Sequence, residues 1–240
     1  MNAIKVLISL FALSLLAILT FSLSKSWFFI DRGISLAKED VSKEEQIEKD
    51  PITSDELEKD ARVIWKNYVY YPLELSKEEG NIGFDKVLQH AKNLVFINLN
   101  TGKLHKVFEK KVYIYDFFPG DFSKKEVVSY EREALQNGID IGNKFIILLM
   151  SEDTNKDGYL NYKDKARVFV YDPMDEKLID ILPENYYFEK LLLNTRKNIL
   201  CMIVRKLADK RSKQIRSQIF IYDSTTEKGL LVEDPDQQIN

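Results

Sequence analysis

One short pattern recurs along the chain and constrains its fold more than any other feature. An apolar run ends in Asn or Asp, and Lys stands five positions later; the copies span residues 95–103, 169–177 and 220–228. The Asn or Asp side chain can bond to its own backbone and start a turn, so each copy predicts a β-hairpin. Repeats of about 40–50 residues with four strands are typical of propeller blades. The wider gap between the first two copies leaves room for an insertion around residues 110–135.

The remainder of the sequence beyond residue 62 has the same texture. Short β-branched and aromatic runs alternate with turn residues, which predicts a mainly β domain of antiparallel sheets over residues 62–240. The predicted strands are 63–71, 93–99, 103–108, 111–117, 125–131, 144–150, 166–172, 177–182, 187–193, 198–205, 217–223 and 229–233.

The second and third copies also align upstream of the hairpins. Residues 146–150 take the place of residues 199–203, and each run is followed by a long polar loop. The two loops are equivalent in position and opposite in charge. Residues 153–164 are acidic, whereas residues 205–216 are basic.

The acidic loop follows the twelve-residue pattern of an EF-hand calcium loop. Calcium takes six to eight hard oxygen ligands, and alternating loop positions converge them; Gly158 provides the sharp turn at position 6. Asp replaces Glu at position 12, and the shorter side chain favours a single coordinating oxygen or a tighter loop. The flanking runs predict strands instead of helices. The alternative is a polar loop with solvated acids. The predicted calcium ligands are Asp153, Asn155, Asp157, Tyr159 through its carbonyl, Asn161 and Asp164.

The basic loop could hold phosphate groups or an acidic partner through counterion release. The alternative is a solvated hairpin tip. No aromatic side chain alternates with its bases, and the formal net charge of −3 gives no nucleic-acid signature. The candidate anion-binding residues are Arg205, Lys206, Lys210, Arg211, Lys213 and Arg216.

The amino-terminal segment is apolar enough to enter a membrane. Residues 6–23 contain no charge, and the apolar character extends to Ile30 with one interruption at Lys25. At 1.5 Å per residue, a helix of this length approaches the ~30 Å hydrocarbon core. Residues 1–30 therefore predict a signal anchor with the amino terminus inside, or a cleaved signal peptide, since small residues precede possible cleavage sites. Either outcome exports the remainder to the cell envelope, the periplasm or the exterior.

Residues 31–61 separate this segment from the β domain. Eleven acids and five bases between residues 31 and 60 indicate a solvated linker. Thr53 or Ser54 can cap a short charged helix near residues 54–62, with Asp55 and Glu56 in its first turn and Pro51 at the boundary.

Catalytic motifs are missing from the sequence. His90 and His105 are the only histidines and have no zinc-ligand spacing, and no nucleophile elbow, Walker loop or dinucleotide fingerprint occurs. The single cysteine, Cys201, excludes an intrachain disulfide and lies in an apolar run.

Asn98-Leu99-Asn100-Thr101-Gly102-Lys103 resembles the turn of the blade repeats in TolB-like β-propellers. The acidic loop resembles the calcium loops of dockerin modules and of some propeller blades, and the combination is similar to a family of uncharacterised bacterial envelope proteins. The resemblance implies about three blades, fewer than the four to eight of closed propellers. A partial propeller, a compact sheet domain and assembly with another chain remain open, as does an ordinary antiparallel sheet protein.

These observations favour an exported, membrane-anchored, calcium-binding scaffold or binding module without catalytic activity. Its expected partners are the membrane, through residues 6–30, and a protein or glycan of unknown identity; an oligomer is possible and nucleic acid is not expected. The first alternative is a hydrolase that uses a carboxylate pair beside the calcium site. The second is anionic-ligand or membrane-surface binding by residues 205–216.

Overall fold

A computed structural model describes residues 14–16, 33–36, 60–76, 90–126, 135–194, 196–207 and 217–232. Ser14, Leu15, Leu16 and Asp60 are helical. The other residues of the predicted membrane segment and of the predicted helix near 54–62 lie outside the described residues, apart from Ala61 and Arg62. Among the residues described, no helix has the length and apolar character needed to cross a membrane.

Strands account for most of the regular structure in these ranges, which confirms the predicted mainly β fold. They are β1 (Ile34–Ser35), β2 (Arg62–Ile64), β3 (Tyr68–Leu73), β4 (Asn93–Asn98), β5 (Leu104–Lys106), β6 (Tyr113–Pro119), β7 (Ser123–Glu126), β8 (Leu135–Gly138), β9 (Phe145–Met150), β10 (Tyr159–Leu160), β11 (Arg167–Asp172), β12 (Lys177–Asp180), β13 (Tyr186–Leu192), β14 (Ile199–Lys206), β15 (Ser217–Asp223) and β16 (Lys228–Leu231).

Three antiparallel sheets of four strands each organise the described chain. The first sheet has the order β2-β3-β4-β5, the second β6-β9-β11-β12 and the third β13-β14-β15-β16. Each sheet is therefore a meander, and the second carries two insertions. The β7–β8 hairpin lies between β6 and β9, and β10 lies between β9 and β11, where it pairs with β1.

The second sheet is buried on both faces because it lies between the other two. All six residues of β9 are buried. Phe145, Ile147 and Leu149 belong to the core shared with the first sheet. Ile146, Leu148 and Met150 belong to the core shared with the third sheet. Opposite faces of a strand alternate, so an uninterrupted apolar run such as β9 is what a central layer requires.

The three repeated turns have the same local structure, which confirms the sequence repeat. Asn98, Asp172 and Asp223 each accept a hydrogen bond from the backbone N–H two residues later, at 2.9, 2.9 and 2.8 Å respectively. Each turn joins the third strand of a sheet to its fourth strand.

The residue before the repeated Lys is also equivalent in the three turns. It is left-handed in every copy, with φ of 69° at Gly102, 51° at Glu176 and 56° at Glu227. Glycine adopts this conformation without steric cost, whereas glutamate does not. The two glutamates contact the preceding sheet, since Lys103 pairs with Glu176 at 2.6 Å and Lys177 pairs with Glu227 at 2.5 Å.

The upstream alignment of the second and third copies is two residues out of register. Tyr171 and Tyr222 occupy equivalent positions, and they pair with Phe145 and Leu200 respectively. Ile146 is therefore equivalent to Cys201 and not to Ile199. A shift of two residues keeps each side chain on the same face, so the sequence pattern alone does not reveal the error.

Two predicted elements near residue 62 are wrong in detail. Arg62 begins β2 instead of ending a helix, because Val63 and Ile64 pair with β3. The single strand predicted over residues 63–71 is two strands joined by a turn, in which Trp65 and Lys66 have positive φ of 47° and 63°.

Two further predictions need revision. The strand predicted over residues 125–131 begins at Ser123 and is described to Glu126; its partner β8 was not predicted. The linker predicted over residues 31–61 contains a short docked segment, because Ile34 pairs with Leu160 and is buried in the core.

Candidate metal site

The twelve-residue acidic loop connects the two central strands of the second sheet. β9 ends at Met150 and β11 begins at Arg167, so strands flank the loop, as the sequence predicted. Both strands are anchored in the core, which fixes the two ends of the loop. The basic loop occupies the equivalent connection between β14 and β15 in the third sheet.

The first half of the loop is organised by its own acids and amides. Asp153 accepts hydrogen bonds from the N–H groups of Asp157 and Gly158, at 3.1 and 2.8 Å. Asn155 Oδ1 accepts from the Asp157 N–H at 2.9 Å, and Asp157 Oδ1 accepts from the Tyr159 N–H at 2.9 Å. Gly158 has a φ of 85°, which glycine tolerates and other residues rarely adopt. These hydrogen bonds hold positions 1 to 7 of the loop in a tight turn.

Asp164 closes the loop from its buried end. Only 6% of its surface is exposed, so this acid is not a solvated charge. Its Oδ1 accepts from the Thr154 N–H, the Thr154 hydroxyl and the Asn155 N–H, at 2.8, 3.1 and 3.3 Å. Its Oδ2 accepts from the Asn161 N–H at 3.0 Å. Asp164 therefore links the two halves of the loop. Its Oδ2 accepts one hydrogen bond while Oδ1 accepts three, so Oδ2 has more lone-pair capacity left for a further ligand.

Tyr159 and Leu160 form β10, whose partner strand was not foreseen. Leu36 donates its N–H to the carbonyl of Gly158 at 2.9 Å, and Ser35 pairs with Tyr159. Hydrogen-bonded pairs alternate along antiparallel strands, so the backbone groups of Tyr159 point away from β1. Its N–H bonds to Asp157 within the loop. A strand residue's carbonyl lies on the same side as its N–H, so the Tyr159 carbonyl is not paired with β1, which a position-7 carbonyl ligand also requires.

The carboxylate and amide oxygens of the loop are ligands of the kind that a hard divalent cation prefers. In this structure, however, the carboxylates accept hydrogen bonds from the loop backbone. Within the described ranges, no group of three or more His, Cys, Asp and Glu side chains is arranged to hold a metal ion. Asp153, Asp157 and Asp164 are each engaged with N–H donors. The loop offers in addition the amide oxygens of Asn155 and Asn161.

A cavity of about 280 Å³ lies beside the loop, between the second and third sheets. Glu152 and Thr154 line it from the loop side, and Asp180 and Glu184 from the end of β12. Burial raises the pKa of Asp180, and the negative charge of Glu152 adds to this, while Arg167 opposes it. Arg167 contacts Asp180 at 2.8 Å and donates to the carbonyls of Leu182, Pro183 and Tyr186. The Arg167 guanidinium is therefore bonded to groups that line or adjoin the cavity.

The candidate anion-binding residues are only partly described. Arg205 forms an ion pair with Glu189, so its charge is already matched, and Lys206 is exposed at the end of β14. Lys210, Arg211, Lys213 and Arg216 lie outside the described residues. The structure brings none of the described bases together as an anion site.

The two histidines have structural surroundings. His90 stacks on Tyr113 with ring centroids 4.0 Å apart, and its Nδ1 lies 3.0 Å from the Ser76 hydroxyl. His105 stacks on Tyr171 and lies 3.5 Å from Glu176. The His105 contact packs the first sheet against the second, and the His90 ring stacks on the first residue of β6.

Comparison with known proteins gives no family for this chain. No protein-family model matches the sequence, and no curated protein matches it either. The functional reasoning therefore rests on the residues and their geometry.

Proposed function

We propose that this protein is an exported, membrane-tethered scaffold module whose propeller-like sheets are stabilised by calcium at residues 153–164. One observation carries the proposal: an EF-hand-like loop, closed by the side chains predicted as ligands, bridges the two central strands of the core. The three equivalent sheets support the propeller-like assignment. Membrane tethering is supported by the uncharged run at residues 6–23.

Calcium would act on the fold and not as a signal. The residues that would hold it are Asp153, Asn155, Asp157, Asn161 and Asp164, together with the carbonyl of Tyr159. In the bound loop, calcium supplies the positive charge that three clustered aspartates otherwise lack. Extracellular sites of this kind commonly bind at about 10⁻⁴–10⁻³ M, so an exterior rich in calcium keeps them filled. The docked β1 strand and the core strands β9 and β11 would then be stabilised together.

A melting experiment on the full chain in detergent tests the calcium proposal. Ca²⁺ at a hundredfold excess over Kd should add about 2.7 kcal/mol to the free energy of unfolding, which raises Tm relative to chelator. Mg²⁺ should do less, since it demands a near-ideal octahedral site. Asp157→Asn should abolish the calcium-dependent rise. Asp175→Asn, at an exposed turn outside the loop, is the matched control and should keep it. Identical curves with calcium and chelator contradict the proposal.

A hydrolase is the second candidate, favoured by one observation: Glu152 and Asp180 line the same cavity beside the loop. A carboxylate with a raised pKa can act as a general acid, and a second one as base or nucleophile. A screen of glycosides with the wild type and Glu152→Gln distinguishes the two functions. Turnover that the variant loses, with Tm unchanged, supports the hydrolase; a complete lack of turnover supports the scaffold.

A further inference from the structure

The outer face of the third sheet is apolar and partly exposed, with Cys201 and Ile221 half-buried. We call the face that a sheet turns toward the next sheet in the chain its trailing face, and the opposite face its leading face. The trailing face of the third sheet and the leading face of the first sheet are therefore the two outer faces. On the trailing face of the third sheet, Cys201, Ile221 and Leu230 form one cross-strand row, since Cys201 pairs with Ile221 and Ile221 with Leu230. Ile219 and Val232 lie in the adjacent row. The exposed fractions are 43% for Ile219, 64% for Leu230 and 40% for Val232.

The second sheet buries the same positions against a neighbour. Cross-strand register makes Ile146, Val170 and Ile179 the equivalents of the Cys201 row. Ile146 and Val170 are 0% and 1% exposed, and Ile179 packs against the same core. The third sheet therefore retains the side-chain pattern of a face that is covered by another sheet.

One row on the leading face of the first sheet is its counterpart, while the adjacent row on that face, Tyr71 and Val95, is already buried at 3% and 1% exposure. Val63, Val69, Ile97 and Leu104 form one row across all four strands. Val63 is 65% exposed and Leu104 is 50% exposed, although both are aliphatic. The equivalent row of the second sheet, which includes Phe145 and Tyr171, is buried against the first sheet.

Contacts inside the chain show how such faces meet. Phe96, on the trailing face of the first sheet, lies 5.2 Å from Phe145 and 4.9 Å from Tyr171 between ring centroids. The Phe96 row thus packs on the Tyr171 row. By register, Phe96 is equivalent to Ile221, and Tyr171 is equivalent to Ile97. Within the described part of the chain, the third sheet presents one trailing row and the first sheet one leading row of partly exposed aliphatic side chains that can repeat this contact.

We propose that two copies of this chain associate head to tail, the trailing face of each third sheet covering the leading face of the partner's first sheet. The Cys201, Ile221 and Leu230 row then packs on the partner copy's Val69, Ile97 and Leu104 row. A heterologous contact of this kind forms either a closed ring or an open polymer. Two copies close a ring of six sheets, which is within the range of about four to eight blades in closed propellers. The inference rests on the sheet register and is independent of calcium.

Face-specific variants of the full chain in detergent test the arrangement. Ile219→Lys with Leu230→Lys removes the trailing face, and Val63→Lys with Leu104→Lys removes the leading face. Sedimentation with density-matched detergent should give a dimer for the wild type and a monomer for each variant. An equimolar mixture should restore a dimer that is weaker than the wild type, because one of its two junctions joins two intact faces and the other joins two altered ones. This restoration also shows that both variants are folded. Met174→Lys, at a turn residue that is 73% exposed, is the matched control and should stay dimeric.

The single cysteine offers a second measurement. Cys201 lies in the trailing row, so its alkylation should slow severalfold at protein concentrations that favour the dimer and should be independent of concentration in the trailing-face variant. A monomeric wild type, a dimer that survives loss of the leading face, or an open polymer would overturn the proposal. Survival without the leading face would indicate third sheets packed on each other instead.

Discussion

At the scale of single residues, two buried tyrosines carry hydroxyl groups that the fold does not satisfy. Tyr171 and Tyr222 are each 1% exposed and precede the repeated Asp of the second and third turns. Within the described part of the chain, neither hydroxyl has a hydrogen-bond partner. A buried hydroxyl without a partner costs about 1–3 kcal/mol. The aromatic rings compensate by filling the space between sheets.

Replacement of Tyr222 by Phe should therefore stabilise the protein. Tyr222→Phe removes an unsatisfied hydroxyl and keeps the ring, so Tm should rise. Burial raises the pKa of Tyr222 to about 12, with Glu227 and Asp223 adding to the rise. Because the folded-state pKa lies above the unfolded value of 10.0, this tyrosine leaves the free energy of unfolding unchanged below pH 10. The free energy of unfolding then falls as the pH rises from 10 toward 12. The variant should lose less stability over that range, by up to about 1.4 kcal/mol per pH unit.

Tyr186 supplies the control for this prediction. Its hydroxyl donates to Gln218 Oε1 at 2.8 Å, so Tyr186→Phe breaks a real hydrogen bond. That change should cost about 0.5–1.5 kcal/mol and lower Tm. Urea titrations of the two variants between pH 8 and pH 12 measure both effects. A Tyr222→Phe variant that is less stable than Tyr186→Phe would show that the Tyr222 hydroxyl has a partner.

At the scale of elements, the repeated hairpins were predictable because their signals are local. An Asn or Asp followed five residues later by Lys, between apolar runs, specifies the turn and the two strands that it joins. Other features carry no such signal. The turn at Trp65 and Lys66 lacks glycine, although both residues have positive φ. The pairing of Ile34 with Leu160 joins two-residue strands that are far apart in sequence, and strands so short leave no periodic pattern.

This unforeseen β1–β10 pairing depends on Gly33. A Cβ at Gly33 would lie 2.0 Å from the carbonyl oxygen of Leu160, and the residue has a φ of 88°. Gly33→Ala should displace β1 and lower the free energy of unfolding by about 1–3 kcal/mol. Hydrogen exchange should report it directly, through faster exchange of the Leu36 N–H that donates to Gly158.

Gly142 separates the steric effect from the conformational one. Its φ is 69°, but a Cβ there would meet nothing within 4 Å. Gly142→Ala should therefore cost only the left-handed backbone term, about 1 kcal/mol, and leave the exchange of Leu36 unchanged. Equal behaviour of the two variants would mean that β1 does not rest on the acidic loop.

At the scale of the whole molecule, the ion pairs between successive turns form a series that, among the described residues, runs from the first sheet to the third. Lys103 pairs with Glu176 and Lys177 pairs with Glu227, each pair joining one sheet to the next. Lys228 is the third lysine of the series, and within the residues described it forms no ion pair. The first sheet has Gly102 where the other two have glutamate. In the head-to-tail ring, Lys228 of each copy would face residue 102 of its partner, where the series lacks its acid.

Gly102→Glu should complete the series and tighten the dimer. The position has room for a side chain, because a Cβ meets nothing within 4 Å. The φ of 69° costs a glutamate about 1–2 kcal/mol, but Glu176 and Glu227 already adopt this conformation, and the cost is the same in the free and the associated chain. A surface ion pair contributes about 0.2–1 kcal/mol, and the ring contains two of these junctions, so Kd should fall severalfold at low salt. The gain should vanish near ~1 M salt, where the Debye length is about 3 Å.

Two further variants are the controls for this prediction. Gly102→Gln, which adds the same bulk without charge, should leave Kd unchanged, and Lys228→Met should cancel the gain. If Gln tightens the dimer as much as Glu, the effect comes from side-chain bulk and not from charge. If Glu leaves Kd unchanged, residue 102 does not lie near Lys228 of the partner, which contradicts the proposed arrangement.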